Sequence, residues 1–124
     1  MKDFSELKRS GTKVTAPTYM SLEASAMVDR LKEEKDYMIS RAVNKILWEY
    51  MNYPDIEYAL LSIRDDSLNR RVSRFFSIST ETYNMVRAKS QETGISISKI
   101  ISKCVLGGGQ ELLDGVPLTS TLKR

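Results

Sequence analysis

The side chains that usually carry covalent chemistry near neutral pH are almost missing from this chain. There is no histidine, which removes both the commonest general base and the commonest metal ligand. The single cysteine, Cys104, cannot form an internal disulfide, and it stands among Ile100, Ile101 and Val105 on what reads as a buried helix face. A free thiol in such a place behaves as a small hydrophobe. The expectation is a protein that is not an enzyme and holds no cofactor or metal. The net charge is only +3, so any case for an anionic partner rests on where the basic residues lie, not on how many there are.

The elements that would position such residues are legible from an internal repeat. Sliding the chain over itself gives a match at an offset of 58, from Ser21 to Ser79. Ser21, Glu23, Met27, Val28, Glu34, Ile39, Ser40 and Lys45 recur as Ser79, Glu81, Met85, Val86, Glu92, Ile97, Ser98 and Lys103. Ordinary composition would give about one or two such identities by chance. The apolar pattern repeats as well: Ile39, Ala42, Val43, Ile46 and Leu47 fall on Ile97, Ile100, Ile101, Cys104 and Val105. Spacing of i, i+3, i+4, i+7 and i+8 is one face of an amphipathic helix.

A second helix precedes that one in each copy. Ser21 and Ser79 are suited to cap its start. Ala24, Met27, Val28 and Leu31 form its apolar stripe in the first copy, and Tyr83, Val86 and Ser90 a thinner one in the second. Gly94 stands between the second copy's helices where a left-handed cap is expected, and Asp36 takes its place in the first.

Ahead of each helix pair comes a strand-like stretch, Lys13 to Met20 and Val72 to Ile78. Read with period two, Phe76 and Ile78 face one side and Ser73, Phe75 and Ser77 the other; the repeat then turns Thr18 and Met20 inward and Thr15, Pro17 and Tyr19 outward. Pro17 has no backbone donor, so it fits only where its N–H would face away from the partner strand.

One strand with two short helices cannot close a core alone, but two copies can. The fold expected is mainly α with a two-stranded antiparallel ribbon, the chain folding as a tandem pseudo-dimer. Its parts are an N-terminal arm (1–12), a first unit (13–51), a linker with Pro54 as helix stop, a helical turn from Asp55 to Ile63 and a polar loop (52–71), a second unit (72–106) and a C-terminal tail (107–124). At 124 residues and 41% apolar content, the two units are expected to share one core. No signal peptide is visible and no apolar run approaches the roughly 20 residues that span a bilayer, so a cytoplasmic protein is expected.

Phe76-Ser77-Ile78-Ser79-Thr80-Glu81, a helix, and then Gly94-Ile95-Ser96-Ile97-Ser98-Lys99-Ile100-Ile101 resembles the strand, first helix, glycine turn and second helix of the ribbon-helix-helix DNA-binding proteins, the class of the Arc and methionine repressors. The first copy is similar but degenerate, lacking the glycine and carrying Met38 where the serine before the second helix should be. The resemblance covers roughly 13–51 and 72–106.

The resemblance implies a ribbon that enters the major groove of double-stranded DNA, with outward side chains on base edges. Here these are Thr15, Pro17 and Tyr19 from one strand and Ser73, Phe75 and Ser77 from the other. It also implies phosphate contacts from amides that open the second helices, at Ile39, Ser40, Ile97 and Ser98. Lys8, Arg9, Lys13, Arg70, Arg71 and Arg74 flank the strands and would add charge to those contacts. A departure from the family is that no Arg, Lys, Asn or Gln, the usual bidentate base readers, stands at the six outward positions. In a register shifted by one, Arg74 would face the DNA instead of Phe75.

The function implied is transcription regulation, most directly as a repressor. The two strands differ at every outward position, which predicts a pseudo-symmetric or asymmetric target. An alternative is an accessory DNA-binding protein of a plasmid-transfer relaxosome on a mobile genetic element, which Tyr50-Met51-Asn52-Tyr53-Pro54 loosely resembles. A second class is an antitoxin or other protein-interaction module, with Gly107-Gly108-Gly109 as flexible tether and Gln110 to Asp114 as docking peptide, though the same stretch also reads as a frayed terminus. Side-by-side self-association on DNA and a protein partner held by the tail both stay open.

Overall fold

The computed structural model describes residues 13–67 and 70–122, and for residues 13–17 the backbone alone. The N-terminal arm with Lys8 and Arg9, and the side chains of Lys13, Thr15 and Pro17, lie outside the described residues. The order of elements is β1 (Lys13–Ser21), α1 (Leu22–Lys35), α2 (Ile39–Met51), α3 (Ile56–Ser62), β2 (Arg71–Ser79), α4 (Thr80–Thr93) and α5 (Ile97–Asp114), followed by a single 3₁₀ turn at Ser120–Leu122. The chain is thus mainly helical with one two-stranded antiparallel sheet. No helix among the described residues is long and apolar enough to cross a membrane.

Local chemistry accounts for where these elements start and stop. Ser21 and Ser79 are extended, and their hydroxyls accept from the amides of Ala24 and Thr82, opening α1 and α4. Such a cap stabilises a helix by about 1 kcal/mol. Both helices close on a left-handed residue, Asp36 (φ 56°) and Gly94 (φ 77°), which turns the chain sharply into the next helix. Glycine takes this conformation freely and aspartate tolerates it better than most residues. Ser96 then caps α5 through the Lys99 amide, whereas Met38 opens α2 with no side-chain bond. Starts of strands and helices recur at the offset of 58: Lys13 and Arg71, Leu22 and Thr80, Ile39 and Ile97.

β1 and β2 run one or two residues further than the alternation suggested, and their pairing is antiparallel from Lys13↔Ser79 to Ser21↔Arg71. One face is apolar and closed: Met20, Phe76 and Ile78 are buried, with Thr18 beside them. Beneath it the helices pack crosswise. α1 lies mainly on α5, α2 on α5 and also on α4 and β2, and α5 on β1. One cluster from Met20 through Val28, Val43, Leu47, Phe76, Val86 and Ile101 to Val105 joins all of these elements. Each large aliphatic side chain fully withdrawn from water contributes about 1.5–3 kcal/mol. Cys104 sits in that cluster, and burial pushes its thiol well above the ordinary cysteine range.

The C-terminal segment overturns one expectation. Gly107, Gly108 and Gly109 are not a tether or a frayed end but the middle of α5, which continues to Asp114. The glycines are there because other helices come too close for a side chain. A Cβ on Gly108 would lie 2.5 Å from Ile46 Cγ2, one on Gly107 2.7 Å from Tyr50 Oη, and one on Gly109 would run into Met27 Cγ. After Gly115 (φ 72°) the chain folds back and is held by the buried Glu111 carboxylate. Oε1 accepts from Tyr50 Oη (2.6 Å) and the Thr119 amide (3.0 Å), and Oε2 from the Thr121 amide (2.9 Å) and Thr121 Oγ1 (2.8 Å). A buried carboxylate needs this many donors to offset its lost hydration. The same burial and the neighbouring carboxylate push the Tyr50 hydroxyl far above the usual tyrosine value.

Gly108→Ala tests the close approach directly. Helix propensity alone would favour alanine by up to about 1 kcal/mol, yet overpacking against Ile46 costs about 1–3 kcal/mol. The expected outcome in urea denaturation is a net loss of stability. A gain would show that α2 and α5 are not in contact there.

Candidate functional site

The outward face of the ribbon presents aromatic side chains to solvent. Phe75 is 71% exposed and Tyr19 57% exposed, both on strands whose other face is core. Ser73 is exposed beside them and Ser77 half-buried. The register sets the outward positions directly opposite one another: Thr15↔Ser77, Pro17↔Phe75 and Tyr19↔Ser73. Pro17 and Phe75 are also counterparts under the offset of 58, so the middle pair is the one place where a residue faces its own repeat position.

Three bonds at the strand edges identify which backbone groups point where. The amides of Ser77 and Ser79 leave the ribbon to donate to Ser40 Oγ (3.1 Å) and Asn44 Oδ1 (2.8 Å), and Asn44 Nδ2 donates to the Ser77 carbonyl (2.6 Å). In an antiparallel ladder, alternate residues share this orientation, so odd-numbered residues form the non-hydrogen-bonded pairs, whose side chains lie closest. Pro17 belongs to that set and its missing donor costs the ladder nothing.

The same bonds fasten each strand to the helix that follows the other strand. β2 is held by Ser40 and Asn44 of α2, and at the far end the Ser21 amide of β1 donates to Ser102 Oγ of α5 (2.9 Å). Asn44 and Ser102 are repeat counterparts, and each also donates back to its own helix, to the carbonyls of Ser40 and Ser98. The starts of α2 and α5 are thereby brought to opposite edges of the ribbon. Ile39, Ser40, Ile97 and Ser98 stand there, half-buried. Among the described residues no acceptor meets the amides of Ile39 and Ser40, or of Ile97 and Ser98. α1 differs, because its first amides are taken by the Arg70 carbonyl, Ser67 Oγ and Ser21 Oγ. Open amides at a helix start, at the positive end of its dipole, favour an anion.

The charged residues divide. Arg71 is exposed at the start of β2, and Lys13, its repeat counterpart, begins β1 at the opposite corner. Arg74 is not with them. It lies on the ribbon's other face, where Nη1 donates to Ser25 Oγ (2.9 Å), the Ser25 carbonyl (3.4 Å) and Asp29 Oδ1 (3.1 Å) of α1. The shifted register, with Arg74 outward in place of Phe75, is therefore not the one adopted. Two residues that the sequence pattern did not single out belong beside the open amides: Arg41 and Lys99, each third in its helix. Neither makes an ion pair among the described residues. Their signal was present, since they align at the offset of 58, but as like charges and not as identities.

The chain matches no protein-family model, no curated protein and no solved structure.

Asn44→Ala tests the edge clamp. It leaves the Ser79 amide and the Ser77 carbonyl without their acceptor and donor, and an unsatisfied buried polar group costs about 1–3 kcal/mol. Faster hydrogen exchange at Ser79, with a lowered urea midpoint, is the expected result; unchanged exchange would mean that Asn44 does not hold β2.

Proposed function

We propose that this chain is a double-stranded DNA-binding protein of the ribbon-helix-helix kind, with both units, 13–51 and the second extended to Asp114, folded as one pseudo-dimeric body. The observation that carries the reading is the ribbon's register: six outward positions pair about the Pro17–Phe75 centre, and open helix starts flank both edges. B-DNA's major groove, about 12 Å wide, admits a two-stranded ribbon. With the ribbon in the groove, the amides of Ile39, Ser40, Ile97 and Ser98, with Arg41, Lys99 and Arg71, would meet phosphates on either side, fixing orientation, while Thr15, Pro17, Tyr19, Ser73, Phe75 and Ser77 would meet base edges.

Transcriptional repression is the most direct use of such a protein, since occupying a site in a promoter requires binding and no further chemistry. An accessory role at a plasmid-transfer origin uses the same interface and differs only in the DNA bound. The antitoxin reading loses its element, because the proposed tether is packed helix and the segment after it is bound to Glu111. Side-by-side association on adjacent sites is an extension of the DNA-binding reading.

Fluorescence anisotropy with random 30-bp duplex DNA at several salt concentrations tests the proposal. Binding should weaken steeply with salt, and the double variant Arg41→Ala, Lys99→Ala should lower the log–log slope by about 2, close to one unit for each phosphate that the variant no longer neutralises. Single-stranded DNA of the same length should compete poorly. Binding that ignores salt, or a slope the double variant leaves unchanged, would sink the reading.

A further inference from the structure

We propose that the ribbon reads the C5-methyl groups of pyrimidines, at its centre and toward one end but not toward the other; this rests on the ribbon-in-groove reading above. Hydrogen-bond readout by fork-shaped side chains is not available to the three central pairs of this face, since none of their six outward residues is Arg, Lys, Asn or Gln. What the face presents instead is aromatic surface. Phe75 stands at the middle pair and Tyr19 on the neighbouring pair, each more than half exposed although each strand's other face is closed over the core. As diagonal neighbours across non-hydrogen-bonded pairs they lie about 7–8 Å apart, near enough to form one apolar strip.

The major groove carries one projecting apolar group, the methyl on C5 of thymine or of a methylated cytosine; apart from flat C–H positions, the rest of the edge is donors and acceptors. A methyl against an aromatic ring is therefore the contact that surface can make without leaving a base donor or acceptor stripped of water. Basic residues at the ribbon's edges, Arg71, Arg41 and Lys99, match the phosphates that would hold it in place. The strip is lopsided. From the Pro17–Phe75 centre toward the Tyr19–Ser73 pair the face is aromatic, and toward Thr15–Ser77 it carries no ring, only a serine and a threonine whose single methyl offers far less apolar surface. The favoured DNA therefore bears methyl groups at its centre and toward one end, and needs none toward the other.

The test uses the full chain. The tightest duplexes are selected from a random 30-bp pool, then remade with deoxyuridine for thymine on one side of the centre at a time, which deletes the methyl and nothing else. Loss on one side should be about 4-fold to 15-fold, roughly 4-fold per methyl, against less than 2-fold on the other. Tyr19→Ser and Phe75→Ser, at exposed positions and checked by circular dichroism, should abolish the difference. Replacing cytosine with 5-methylcytosine on the sensitive side separates the sources: a gain there shows that the methyl is read on either base, and no gain confines the reading to thymine. Deoxyuridine duplexes that bind as tightly as the originals, or lose equally on both sides, overturn the inference and leave DNA binding standing. If no duplex can be selected, the ribbon-in-groove reading falls and this inference with it.

Discussion

A two-stranded ribbon has no interior strand, and this constraint governs the rest of the molecule. On each strand every second amide and carbonyl faces outward with no neighbouring strand to receive it. Water can serve those in the middle, but not those at the strand ends where helices close over them. There the chain supplies side chains: Ser40 and Asn44 for Ser77 and Ser79, and Ser102 for Ser21. Because the partners lie in the first two turns of α2 and α5, satisfying the edge also fixes where those helices begin. The open amides of Ile39, Ser40, Ile97 and Ser98 and the charges of Arg41 and Lys99 owe their place beside the ribbon to these few bonds.

Apolar packing reinforces the same crossing. Met20, Phe76 and Ile78 close the ribbon's inner face, and α5 runs on beneath it past three glycines that let Ile46 and Met27 press against its backbone. Side chains there would hold the helices apart. Arg74 shows the constraint from the other side: an even-numbered strand residue cannot reach the outer face, so its guanidinium turns to Ser25 and Asp29.

Much of this is legible in the chain because it depends on local rules. The serine caps, the left-handed Asp36 and Gly94, the alternation that buries Phe76 and exposes Phe75, and the outward donorless edge at Pro17 each follow from a residue and its near neighbours. What is not legible depends on distant partners. Three successive glycines weaken a helix in isolation and look like a break; only the approach of Ile46, Met27 and Tyr50 makes them the residues that fit. Nothing in the order of residues tells that Asn44 will meet Ser79, or that Glu111 will gather Thr119 and Thr121. Arg41 and Lys99 lie within reach of the repeat, but they share a charge and not an identity.

The crossing of strands and helices has a consequence for how the surface behaves at low copy number. Where two separate chains must meet to form such a ribbon, the surface disappears on dilution, because its stability depends on protomer concentration. In this chain β1, β2 and the helices that clamp them are covalently joined through residues 52–70. Formation of the ribbon is first-order, with an effective concentration set by the length of that connection and not by the number of molecules present. A single copy carries the whole face.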